Sequence, residues 1–218
     1  MSINVKDAAG STVAIEVPNA NGQAAMANSA PVAIASDQSS IPVSGPATNA
    51  ELRATALPVE SPGFVSAVDS TRPADTTAYT ALDVLGESPA ANLVFTGVGS
   101  VAGGHVIIMD VSFRQDVGAI PSGQDGFRLH LFDAAPTAII DNATVNLIAA
   151  DRTKYLGSIE LESSLDLGDT LWSRSNNINF KCKLASASTT LYGVLQTIAG
   201  FTPSASTARN VRISGIQC

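Results

Sequence analysis

The 218 residues predict an all-β chain: an antiparallel, jelly-roll-like β-sandwich preceded by an extended N-terminal arm. Three observations predict it. Short runs in the second part alternate apolar and polar residues at period two, the pattern of a sheet with one buried face. All eleven aromatic residues (7 Phe, 3 Tyr, 1 Trp) lie at or beyond Phe64, so the large core-forming side chains are confined to one part of the chain. The aromatic-free part is punctuated by Pro18, Pro31, Pro42, Pro46, Pro58 and Pro62, each of which removes an amide donor and favours extended backbone before it.

The boundaries follow from these shifts. Residues 1–62 read as the arm, 63–75 as a linker and 76–218 as the head domain. Within the arm, residues 3–5 and 13–17 alternate on either side of a turn at 7–11, which predicts a hairpin. Residues 31–35 and 41–44 are further short extended pieces. Thr48 followed by Glu51 is a capping-box pattern, so 48–55 reads as one or two helical turns, stopped by Pro58.

In the head, the candidate strands are 79–85, 92–97, 104–114, 126–132, 158–161, 170–174, 177–184, 190–198 and 210–216. Phe127, Leu129 and Leu131 alternate with Arg128 and His130; Ile178, Phe180, Cys182 and Leu184 alternate with Asn179, Lys181 and Lys183. Only 151–156 reads as a helical turn. The expected core is Phe95, Ile107, Met109, Phe127, Leu129, Leu131, Ile178, Phe180, Leu191 and Val211. So many short strands fit a double-sheet sandwich.

Composition narrows the function. Net charge is −7 with a sequence pI near 4.6, and the basic residues are scattered; phosphate binding needs them clustered, so no nucleic-acid partner is expected. No run approaches the roughly 18 apolar residues of a membrane span, so no membrane partner is expected. The start, Met1-Ser2-Ile3-Asn4-Val5-Lys6, lacks a basic region followed by an apolar run, so no signal peptide is expected and the chain reads as folded in the cytoplasm. Charged residues are only 14%, as in proteins whose subunit contacts replace solvated charge.

Catalytic and ligand-binding patterns are weak. His105 and His130 are the only histidines, and no third ligand is enforced by spacing, so no metal is expected. There is no G-x-S-x-G elbow, and Asp166 with Asp169, or Glu160 with Glu162, read as a turn and a solvated strand face. The glycine-rich stretch 97–104 does not open a helix and has no following Lys-Ser/Thr, so it reads as an inter-strand loop and does not support a phosphate cradle. The loop from Asp116 to Asp125 reads as a polar hairpin connection rather than a calcium site. Cys182 and Cys218 read as free thiols. The expectation is a protein with no catalytic residues and no cofactor.

Two stretches carry a resemblance. Ala30-Pro31-Val32-Ala33-Ile34-Ala35-Ser36-Asp37-Gln38-Ser39-Ser40-Ile41-Pro42-Val43-Ser44 resembles a segment recurrent in tailed-bacteriophage structural proteins. Ala47-Thr48-Asn49-Ala50-Glu51-Leu52-Arg53-Ala54-Thr55-Ala56-Leu57-Pro58-Val59 is similar to its usual sequel. The stretch from Gly126 through Asp133 to Ala150–Gly157 also looks like a phage β-domain. The resemblance implies a non-enzymatic virion structural protein, a capsid decoration or cement protein in the first place. Its assembly arm would present Val32, Ile34, Ile41, Val43, Leu52, Leu57 and Val59. It implies other virion proteins as partners, the major capsid protein first, and a homotrimer as the closed form that multiplies weak contacts. The alternative is a tail, baseplate or fibre component whose sandwich binds a host surface glycan. Trp172 and three tyrosines are few for sugar stacking, which favours scaffolding.

Overall fold

The computed structural model describes residues 2–6, 8–16 and 62–218. The chain divides into two compact units, Met1–Leu57 and Pro58–Cys218. In the first, β1 (Ser2–Lys6) and β2 (Thr12–Glu16) pair antiparallel, from Ser2 opposite Glu16 to Lys6 opposite Thr12. The turn holds Gly10 at φ +84°, a left-handed position that glycine adopts without cost. This is the hairpin expected from the two alternating runs. The helical turn expected at 48–55 and the assembly residues Val32, Ile34, Ile41, Val43, Leu52, Leu57 and Val59 lie outside the described residues.

The second unit is a jelly roll, as the strand order demonstrates. Its strands are β3 (Gly63–Thr71), β4 (Leu93–Phe95), β5 (His105–Gln115), β6 (Phe127–Phe132), β7 (Tyr155–Leu161), β8 (Leu165–Asp166), β9 (Leu171–Lys183), β10 (Leu191–Thr197) and β11 (Ala208–Gln217). The antiparallel pairs are nested: β3 with β11, β4 with β10, β5 with β9 and β6 with β7. That is one long hairpin rolled up. Rolling brings β11 beside β5 and β10 beside β6. The resulting sheets run β3-β11-β5-β9-β8 and β4-β10-β6-β7. The two-residue edge strand β8 apart, each successive strand changes sheet except across the β6–β7 hairpin, which is the double-sheet roll.

The core lies between the sheets. Val106, Ile108, Val111 and Phe113 of β5 face Phe127, Leu129 and Leu131 of β6, all fully buried. Phe113 meets Phe127 edge-on at 4.8 Å, the geometry favoured by ring quadrupoles. A smaller apolar cluster covers the outer face of the four-stranded sheet, where Val84, Phe132 and Val194 pack with Ile139, Val145, Tyr155 and Tyr192.

Several expectations are corrected. The stretch 63–75, read as linker, contains β3, paired with β11 along its whole length. Its outward residues, Val65 and Ala67, are as apolar as its inward ones, so no period-two contrast marked it. Residues 79–85 make only isolated bridges through Tyr79, Asp83 and Val84. The two strands expected at 170–174 and 177–184 are one, β9, and its Ser-Asn-Asn centre is an irregularity rather than a turn. The helical turn expected at 151–156 is a 3-10 turn at Ala149–Asp151, after which Tyr155 already begins β7. Ile107 is half-buried and Met109 is 36% exposed, because a bulge at Met109 reverses the facing of β5. The other expected core residues lie inside or packed against the core.

Candidate functional site

Two concentrations of polar chemistry stand out in the sandwich unit. The first is buried. Arg72, just beyond β3, and Arg209, at the start of β11, are almost wholly enclosed. Burying a guanidinium is costly unless its donors are met and its charge is opposed. Tyr79 is the hub: its hydroxyl accepts from Arg72 Nε at 3.2 Å and Arg209 Nη2 at 2.8 Å, and donates to Asp141 Oδ1 at 2.6 Å. Burial raises the Tyr79 phenol above its ordinary range, which keeps the proton it donates. Asp141 Oδ1 also accepts from Gly86 N at 2.9 Å. Its two oxygens lie 3.9 Å from Arg72 Nε and 3.8 Å from Arg209 Nη1. Arg72 is further met by the Asp75 carbonyl, by Asp75 Oδ1 at 2.9 Å and by Thr77 O at 2.9 Å. Apart from the buried Arg209 Nε, which has no hydrogen-bond partner among the described residues, the donors and acceptors are turned toward one another, which makes the cluster a clasp holding four chain segments together.

The second lies on the outer face of the four-stranded sheet. Strand alternation points Arg128, His130 and Phe132 outward from β6, with Val194 and Gln196 beside them on β10. The loop from Pro136 to Leu147 closes over His130, Phe132 and Val194 and leaves a pocket of about 130 Å³, lined by Phe132, Ile139, Val145 and Val194, with His130 and Asp151 as polar wall. Gln196 Nε2 donates to Leu82 O at 3.0 Å, which fixes the amide and aims Oε1 at His130 Nε2, 3.1 Å away. His130 is therefore protonated on Nε2, and Nδ1 accepts from the Tyr155 hydroxyl at 3.2 Å. Desolvation lowers the His130 pKa, so the ring stays neutral. With both nitrogens engaged, it supports the loop rather than serving as a free base. Asp151 anchors the same loop: its carboxylate accepts from Lys154 Nζ at 2.8 Å and from Thr137 N at 3.0 Å. Those bonds hold it below the ordinary carboxylate range.

The remaining sequence candidates are dispersed. His105 is exposed at the start of β5, in the other sheet from His130. Asp110 pairs with Arg174 at 2.5 Å and Asp116 with Arg114 at 3.1 Å, while Asp125 accepts from Ser163 Oγ at 2.6 Å. Asp116 and Asp125 thus have separate partners. Asp166 Oδ1 caps the Gly168 amide in the turn that its sequence suggested. Among the described residues no group of three His, Cys, Asp or Glu side chains is placed to hold a metal ion. Cys182 is buried, its thiol pushed up to about 11 by desolvation, and Cys218 is exposed; both are free. Trp172 is half-buried on β9, opposite Arg114 and Leu165. The sequence reading missed the buried clasp: Arg72, Tyr79, Asp141 and Arg209 are far apart along the chain and carry no spacing signal.

No protein-family model and no curated protein matches the chain. Among the solved structures that it resembles are virus particles. One is the Israeli acute paralysis virus full particle heated to 63 degrees, at 15% identity and a TM-score of 0.27, covering 83% of this chain and 82% of that one. Another is the native Kashmir bee virus virion at acidic pH, at 17% identity and a TM-score of 0.25, covering 99% and 88%. A third is a marine algae virus of the order Picornavirales, at 12% identity and a TM-score of 0.26, covering 94% and 89%. Superpositions this loose do not bear on the assignment of the fold, which rests on the strand order itself.

Proposed function

We propose that the chain is a non-enzymatic structural protein of a tailed-bacteriophage virion, a capsid decoration protein that attaches through its N-terminal arm. The observation that carries this reading is the likeness of residues 30–59 to the arm segment of phage structural proteins, set ahead of a sandwich with its own closed core. Supporting it, the polar clusters of the sandwich are engaged internally and read as structural. Extended segments bind by lending backbone hydrogen bonds and alternating side chains to another surface; Val32 with Ile34, Ile41 with Val43 and Leu57 with Val59 have that alternation, while Leu52 falls in the helical turn expected at 48–55. The partner on this reading is the major capsid protein, and the decoration is a homotrimer in which symmetry multiplies weak arm contacts. The chain is made in the host cytoplasm and works in the virion.

The test is co-sedimentation with particles lacking the protein. A chain beginning at Pro62 keeps β3 whole, since Pro62 O accepts from Gln217 N at 3.1 Å. It is expected to show a β-type circular dichroism spectrum and stay in the supernatant, while the full chain pellets with the particles. Binding by the shortened chain would place attachment on the sandwich. A tail or fibre role with glycan binding would then be the better reading.

A further inference from the structure

An edge strand offers a row of unpaired amides and carbonyls to any other strand, and folded proteins blunt such edges with short length, charge or bulges. Three of the four edges here are blunted. The edge strand β4 has three residues and β8 two. The edge strand β7 carries Gly157 at φ +135°, a register shift opposite Leu131/Phe132, and Glu160. The fourth, β3, is different. It runs nine residues, Gly63–Thr71, is paired among the described residues only with β11, and carries one charge, Asp69.

Which β3 groups are free follows from the ladder. Gln217 N donates to Pro62 O, and Arg72 N donates to Thr207 O at 3.0 Å. In an antiparallel pair, bonded residues alternate. The even-numbered residues of β3 therefore turn their backbone groups to β11. The odd-numbered ones, Gly63, Val65, Ala67, Asp69 and Thr71, turn theirs to the open edge. Thr71 N confirms the phase, because it leaves the sheet to reach Glu87 Oε1 at 3.0 Å. Among the described residues, that cap leaves Gly63, Val65, Ala67 and Asp69 with no partner for either backbone group.

We propose that this edge pairs with the same edge of a second copy of the chain, antiparallel about a two-fold axis at Ser66. That register is self-complementary. It sets Val65 against Ala67 of the other copy and Asp69 against Gly63, so every free amide and carbonyl finds a partner. The Glu87 cap on Thr71 falls beyond the ladder and is left intact. The pairing covers Val65, 61% exposed in one copy, with an alanine, and gives Asp69 a neighbour without a side chain. Ser66 meets Ser66, a pair that can share a hydrogen bond across strands. The two five-stranded sheets become one continuous sheet. In a trimer closed through other surfaces, this contact joins trimers to one another rather than subunits within a trimer.

The test compares the full chain with V65K, which sets lysines beside the axis, and with V101K, which adds the same charge at a 67%-exposed loop position. Mass is read by sedimentation equilibrium and amide exchange at Ala67 by mass spectrometry. The expected result is that V65K has half the mass of the wild type at equal concentration, with Ala67 exchanging at least tenfold faster, while V101K matches the wild type. Circular dichroism checks that V65K is folded; if it is not, A67K is read in its place. Equal masses for wild type and V65K, unchanged exchange at Ala67, or an equal loss in V101K would overturn the proposal. Particle binding of V65K is scored separately, so loss of pairing with binding retained separates the edge from the arm.

Discussion

Arg72 and Arg209 enter the interior as charges, and Asp141 with Tyr79 is what makes that tolerable. Removing one partner of a buried pair leaves the other uncompensated, at a cost of about 3–5 kcal/mol. D141A is expected to lower unfolding stability by that much in urea titrations; a change under about 1 kcal/mol would mean that the clasp is solvated and incidental. His130 gives a pH signature of known sign. Its folded pKa lies below the ordinary value of 6.5 because desolvation penalises the imidazolium. Below that ordinary value the unfolded chain binds a proton that the folded chain refuses, so stability is full above it and falls with acidification. Unfolding free energy between neutral pH and pH about 5 should drop in the wild type and drop less in H130Q. Equal slopes would contradict a desolvated ring. Neither role was legible in the sequence. Arg72 and Tyr79 stood in stretches read as linker and strand, and His130 stood among the polar residues alternating with Phe127, Leu129 and Leu131, with the loop that covers it distant in sequence.

At the level of single strands, alternation was a good guide where the ladder is regular and misleading where it is broken. Phe127, Leu129 and Leu131 face inward as read, since β6 keeps one phase through its pairing with β10. In β5, counting back by twos from Val111 and Phe113 selects Met109 and Ile107, yet Ile108 and Val106 are the buried pair. The cause lies on three strands at one level. Met109 is an extra residue opposite Ser214/Gly215, and β9 spends Asn177, Ile178 and Asn179 across the same span, both asparagines at positive φ. A bulge that shifts a strand by one residue flips every side chain after it. Gly215 is the residue this geometry requires: a Cβ there would lie 2.0 Å from Ile107 O. G215A is therefore expected to cost about 1–3 kcal/mol or more, read as a lowered thermal midpoint. An unchanged midpoint would show that the bulge relaxes freely and is not fixed by close backbone approach.

The whole molecule joins a sandwich that needs no further partner for its core to a stretch without aromatics. The fold class was legible because its signals are local: short alternating strands, turn residues between them and aromatics gathered beyond Phe64. The nested strand order was not, because pairings such as Gly63 with Ile216 span almost the entire unit and leave no mark in either segment. The site is the harder half. The assembly residues from Val32 to Val59 were chosen by resemblance and alternation and lie outside the described residues, so their role stands as a proposal. The most direct test of arm attachment is hydrogen exchange on the full chain, free and bound to particles lacking it. Attachment through the arm predicts that amides of residues 30–59 slow on binding, while core strands such as β5 and β6 keep their rates. Slowing confined to the sandwich, with residues 30–59 unchanged, would contradict it.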